Sequence, residues 1–161
     1  MAAITWTETL ALQQPRMDTT HREFVDLLNL LEQALEAPVD TLQAALDRFT
    51  EHTVEHFAQE DAWMAQLGFA AENCHGFQHQ SVLQVVQEVQ RRLHADDANV
   101  GLVRDLVPGL AQWFPIHAQS MDASLALTMQ EHGFEPETGA FARAVDAQAA
   151  PITGCGSSSC G

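Results

Sequence analysis

A chain of 161 residues, 46% of them hydrophobic, is one domain's worth and can bury roughly 70% of its unfolded surface. Seven arginines and no lysine against 22 acidic residues give a net charge of -15, which repels phosphate backbones and anionic lipid and argues against nucleic-acid and membrane roles. The first ten residues lack a basic segment and an apolar segment, no run approaches a membrane span, and three cysteines make no disulfide framework, so the expected address is the reducing cytoplasm.

Residues 1–15 read as an extended arm anchored by Trp6 and Leu10, packed across one end of the domain and ended by Pro15. Asp18 is suited to cap a first helix over 18–37 with Phe24, Leu27, Leu28, Leu31 and Leu35 as its buried stripe, and Pro38 stops it. A second helix over 40–66 buries Leu42, Leu46, Phe49, Phe57 and Met64 and breaks at Gly68. A third, over 70–94, carries Phe77, Val82, Leu83, Val85, Val86 and Val89 at helical spacing. Asp96, Asp97 and Asn99 form a polar turn into a fourth, over 99–131, closed by Gly133. Pro108 and Pro115 fall inside that last segment and predict a kink or a restart, the competing view being a helix that begins only at Pro108. No strand alternation competes with this reading. Helices of this length with short loops predict an all-α, up-down-up-down antiparallel four-helix bundle over residues 1–133. Residues 134–161 are expected to form a flexible tail, Gly/Ser-rich at its end.

His75 and His79, four apart, leave one face of a helix a turn apart and can grip one metal ion; the plain alternative is two polar histidines on a solvated face. His56 and Glu60 repeat the spacing, and His21, His117 and Asp122 bring the set to five imidazoles and two carboxylates, too many for one ion and suited to two. One feature runs against it: five residues place His117 and Asp122 about 140° apart on an ideal helix. Nucleotide-binding and hydrolase motifs, and an HExxH zinc-protease motif, are absent. Glu72-Asn-Cys-His75 matches the Glu-x-x-His unit of oxygen-activating carboxylate bundles only once, and a chain without tyrosine has no tyrosyl-radical chemistry.

Ile4-Thr5-Trp6, Asp18-Thr-Thr-His21 with Phe24, His56-Phe57-Ala-Gln-Glu60-Asp61 with Met64, His75-Gly-Phe-Gln-His79, and Trp113-Phe-Pro-Ile-His117 with Asp122 stand in an order that resembles the hemerythrin family, in particular its single-domain bacterial members. The resemblance spans residues 4–132 and implies a four-helix bundle holding two non-haem irons, oxo- or hydroxo-bridged, that bind O2 reversibly. It implies that His75, His79 and His117 saturate one iron, that His21 and His56 hold the other, and that Glu60 and Asp122 bridge the pair. The second iron then keeps an open position for O2 or small anions such as azide. Phe24, Phe57, Trp113 and Phe114 are candidate pocket walls or ordinary core aromatics. Ala118 stands where the family commonly has a bulky aliphatic residue, which predicts a wider pocket.

His52, a turn before His56, is expected to support the ligands or close the pocket end, with an extra ligand as the alternative. His94 and His132 are expected at the surface and Cys74 as a small buried filler. Cys155 and Cys160 could close a redox-sensitive loop, take a soft metal, bond to a partner or ride as passengers. The expected function is an O2 carrier, store or sensor and not an enzyme. The rivals are an oxidase, a peroxidase or a nitric-oxide-processing enzyme on the same ligands, and a signalling module acting through the tail.

Overall fold

The computed structural model describes residues 2–153. Helix α1 (Pro15–Ala34) packs on α2 (Val39–Gln66), α2 on α3 (Cys74–Ala95), α3 on α4 (Val100–His117) and α4 on α1, which closes a four-helix bundle. After α4 the helix widens into one π turn (Ala118–Asp122) and continues as α5 (Ala123–His132). No helix among the described residues is long and apolar enough to cross a membrane.

Helix boundaries follow local chemistry. Gln14, not Asp18, caps α1, accepting from Met17 N at 2.9 Å, because Pro15 at the first helical position has no N–H to satisfy. Asp18 instead lies in the first turn and accepts from Leu12 N at 2.7 Å, which ties down the arm. Asn73 caps α3 by accepting from Gly76 N, so that helix starts four residues later than its apolar pattern suggests. Gly133 ends α5 at φ +54°, and a Cβ there would meet Ala142 Cβ at 2.6 Å, so both backbone and space require glycine.

Neither proline interrupts α4, and the restart at Pro108 is not seen; the irregularity falls one turn later, in the π turn. The arm runs along α1 rather than across one end of the bundle. Ile4 exchanges two hydrogen bonds with Asn29, Trp6 lies under Arg22 at 4.6 Å, and Leu10 is buried. Of the apolar residues at helical spacing in α3, Phe77 and Val85 are exposed, at 70% and 54%, while Val86 and Val89 are buried.

Beyond Gly133, β1 (Phe134–Glu135) and β2 (Ala140–Phe141) form a small antiparallel hairpin, too short to show an alternation in sequence. Phe134 is buried, and Trp63 Nε1 donates to Pro136 O at 3.2 Å. The chain then returns to the α2–α3 loop, where Ile152 bridges to Phe69. Cys155 and Cys160 lie outside the described residues.

The core has two apolar parts. One gathers Phe24, Leu28, Leu46, Phe49, Val86, Val103 and Phe114; the other gathers Met17, Trp63, Met64, Leu125 and Met129. Along α1, α2 and α4–α5 a layer of buried polar side chains separates them, with His21 between Met17 and Phe24, and His56 and Glu60 between Phe49 and Trp63.

Candidate metal centre

That layer contains all seven residues singled out as ligands. His21, His56, Glu60, His75, His79, His117 and Asp122 are each at most 4% exposed. Donor atoms of Glu60, His75, His79, His117 and Asp122 lie within 4.8 Å of one another, and so do those of His21, His56 and Glu60. Five of the chain's eight histidines are thus in one buried layer, each supplied by a separate helical turn.

The two carboxylates divide their oxygens between the groups. Glu60 Oε1 lies 3.0 Å from His56 Nε2 and 3.4 Å from His21 Nε2, while its Oε2 lies 3.4 Å from both His75 Nε2 and His79 Nε2. Asp122 Oδ1 lies 2.9 Å from His75 Nε2 and 3.1 Å from His117 Nε2, while its Oδ2 lies 3.2 Å from His21 Nε2. Despite these short distances, Glu60 Oε2, His75 Nε2 and both Asp122 oxygens make no hydrogen bond of acceptable geometry. Buried polar atoms left unpaired in this way are what a bound cation would satisfy. Donors about 3 Å apart are spaced as neighbours on an octahedral ion with bonds of about 2.1 Å.

Two flanking residues make the same argument from proton placement. His79 Nδ1 donates to Asp61 Oδ1 and His117 Nδ1 to Gln78 Oε1, both at 2.8 Å. Each acceptor lacks a proton to give, so each Nδ1 carries the hydrogen and each Nε2, if the ring is neutral, carries a lone pair. The two Nε2 atoms face each other at 3.2 Å, an arrangement that needs a cation or a proton between them. Asp61 and Gln78 stood in the sequence only as parts of motifs, with no role given to either; the signal available was that each adjoins a ligand in sequence.

Without a metal, protons compensate the buried carboxylates. Burial pushes the His21 imidazolium down, but hydrogen bonds and charges of Asp122 and Glu60 outweigh it and hold its pKa up to about 10. The same contest leaves His75 at about 9 and His79 raised, the latter with Asp61 as the strongest raising partner. Burial pushes the Glu60 and Asp122 carboxyls up, yet the surrounding imidazoles hold both below the ordinary carboxylate range. His117 is lowered, burial prevailing over Asp122.

Aromatic rings enclose the layer. Phe57 stacks on His79 with centroids 4.0 Å apart, and Trp113 on His117 at 4.4 Å. Phe114 meets His21 edge-on at 5.3 Å and stacks on Phe24 at 4.4 Å, so Phe24 and Phe114 border the two-histidine group. Ala118 is fully buried at the start of the π turn. His52 lies half-buried behind His56, their rings 5.8 Å apart, and belongs to neither donor group. His94 is exposed and pairs with Asp47 at 2.8 Å, and His132 contacts Arg143 O. Cys74 departs from expectation: it is half-buried at the start of α3 and disulfide-bonded, not a buried filler.

Residues 14–126 match the hemerythrin HHE cation binding domain, well over half of the chain. The chain belongs to the hemerythrin family. Among its relatives, the bacteriohemerythrin of Ralstonia nicotianae is 38% identical over 133 residues, covering 83% of this chain and 93% of that protein. The bacteriohemerythrin of Methylococcus capsulatus is 26% identical over 124 residues, covering 76% and 93%. That of Pseudomonas paraeruginosa is 27% identical over 125 residues, covering 76% and 79%. The hemerythrin match spans His21 to Asp122, so it contains the whole buried polar layer.

Proposed function

We propose that this chain binds O2 reversibly at a pair of non-haem irons, as an oxygen carrier, store or sensor and not as an enzyme. The observation that carries the reading is the division of Glu60 and Asp122 oxygens between a three-histidine and a two-histidine group. In this reading His75, His79 and His117 hold one iron, His21 and His56 the other, and Glu60 and Asp122 are shared. When bound, the iron pair supplies the electrons and the open coordination position that O2 binding requires.

The protein's own part is orientation and exclusion. Asp61 and Gln78 fix the tautomers of His79 and His117, so that their Nε2 lone pairs face inward. Phe57 and Trp113 shield the three-histidine group and Phe24 and Phe114 the two-histidine group from water, and the two-histidine group, with fewer protein donors, is the one that would take O2 or a small anion such as azide. The bacteriohemerythrin relatives favour binding over oxidase, peroxidase or nitric-oxide chemistry. We also propose a cytoplasmic address, where a disulfide at Cys74 would be a responsive bond rather than a permanent one.

Replacing Glu60 by Ala removes a carboxylate shared by both groups. Metal affinity should fall by more than about ten-fold. His52→Ala and His94→Ala should retain metal as the parent does. Equal metal retention in all three variants would contradict the assignment.

A further inference from the structure

Helices α3 and α4 carry almost none of the chain's charge. Arg91, Arg92 and Arg104 against Glu88 and Asp105 give the two together +1, whereas α1 and α2 together carry -7 and the whole chain -15. The face that α3 and α4 turn outward is apolar as well. An open groove of about 690 Å³ runs between them, walled by Val82, Val85, Leu102, Leu106 and Trp113. Phe77 and Val85 are exposed on its α3 side and Ile116 on its α4 side. Gly109 also lines the groove, and a Cβ there would meet nothing within 4 Å among the described residues. Glycine weakens a helix interior, and no neighbour within the chain requires it at this position.

We propose that this face is the interface of a two-fold symmetric homodimer, in which α3 of each copy crosses that of the other antiparallel over the groove. Charge selects a second copy. Two chains of -15 repel each other, and contact through α3 and α4 brings together the least charge. Shape makes the face complementary to itself. Phe77, Ser81 and Val85 form one ridge of residues four apart along α3, and a two-fold axis at Ser81 sets Phe77 against the partner's Val85 on both sides. The small side chain of Ser81 lets the two helices approach, and the open space over Gly109 receives the crossing helix.

The ends of α3 fit the same arrangement. Glu88 pairs with both Arg91 and Arg92, which leaves the last turns of α3 with one positive charge in excess, and Glu72 is exposed just before the helix begins. With the axis at Ser81, Arg92 stands two residues, about 3 Å of rise, from the level of the partner's Glu72, within reach of an arginine side chain. Opposite charges therefore meet twice at the rim of the apolar contact.

The test is the mass of the metal-loaded full chain by sedimentation over a range of concentrations, with a thiol reductant present so that no disulfide joins the chains. The parent should rise from 17.7 kDa to twice that mass and no further. Val85→Glu and Gly109→Leu should each weaken the dimer at least about ten-fold while keeping the helix content of the parent by circular dichroism. Glu72→Arg should weaken it as well, and adding Arg92→Glu to the same chain should restore it. A parent with the mass of one chain at every concentration would overturn the dimer, as would assembly beyond two chains or a dimer that Val85→Glu leaves intact. Failure of Arg92→Glu to rescue Glu72→Arg would overturn the antiparallel crossing. Anilinonaphthalene sulfonate bound by a monomeric parent and lost in Val85→Glu would overturn the proposal by giving the face to a small apolar ligand.

Discussion

His117 Nε2 lies 3.1 Å from Asp122 Oδ1 although the two residues are five apart on a helical segment. On a regular α-helix they would diverge by about 140°. The π turn over Ala118–Asp122, in which Ala123 N donates to Ala118 O, takes up one extra residue and returns Asp122 to the face of His117.

Deleting the exposed Gln119 should convert this turn to an α turn and leave the pair four apart, again on one face. The deletion should keep the metal content of the parent, whereas inserting an alanine after Gln119 should lower it. Metal lost on deletion and kept on insertion would show that the π turn does not set this geometry.

The i, i+4 pairs His56/Glu60 and His75/His79 were legible in the sequence because α-helical geometry alone puts each on one face. The pair His117/Asp122 was not, since nothing in the residues between them announces a π turn. Apolar counting also misjudged α3. At the level of the site its core-facing positions are His75 and His79, so Phe77, about 200° from each, points outward. The start of α1 was misread for a different reason: Asp18 and Gln14 are both able to cap, and Pro15 decides between them. The disulfide at Cys74 was not legible either, since spacing around Cys74 gave no sign of it.

Asp61 and Gln78 are expected to act through the imidazoles they orient. Asp61→Ala and Gln78→Ala should each weaken metal binding by about 10–100-fold while leaving the bundle folded, because each frees one ring to take the wrong tautomer. Competition against a chromophoric chelator measures this directly. Affinities equal to the parent's would remove both residues from the account.

Stability of the metal-free protein should depend on pH with a definite sign. His21 and His75 have folded pKa values of about 10 and 9, above the ordinary 6.5, so the folded state holds these protons more tightly than the unfolded state. Their contribution is fully present below about pH 6.5 and is lost as pH rises towards 9 to 10. The unfolding temperature of metal-free protein should therefore fall between pH 7 and pH 10. Metal-loaded protein, whose ligands bind without these protons, should fall less. A metal-free protein equally or more stable at pH 10 would contradict the proton arrangement.

The central claim is tested most directly by loading the protein with ferrous iron under anaerobic conditions, counting metal per chain, and recording the visible spectrum before air, after air and after O2 removal. The account predicts two irons per chain and a new absorption band that appears with air and disappears when O2 is withdrawn. One iron per chain, or a spectrum unchanged by air, would contradict it.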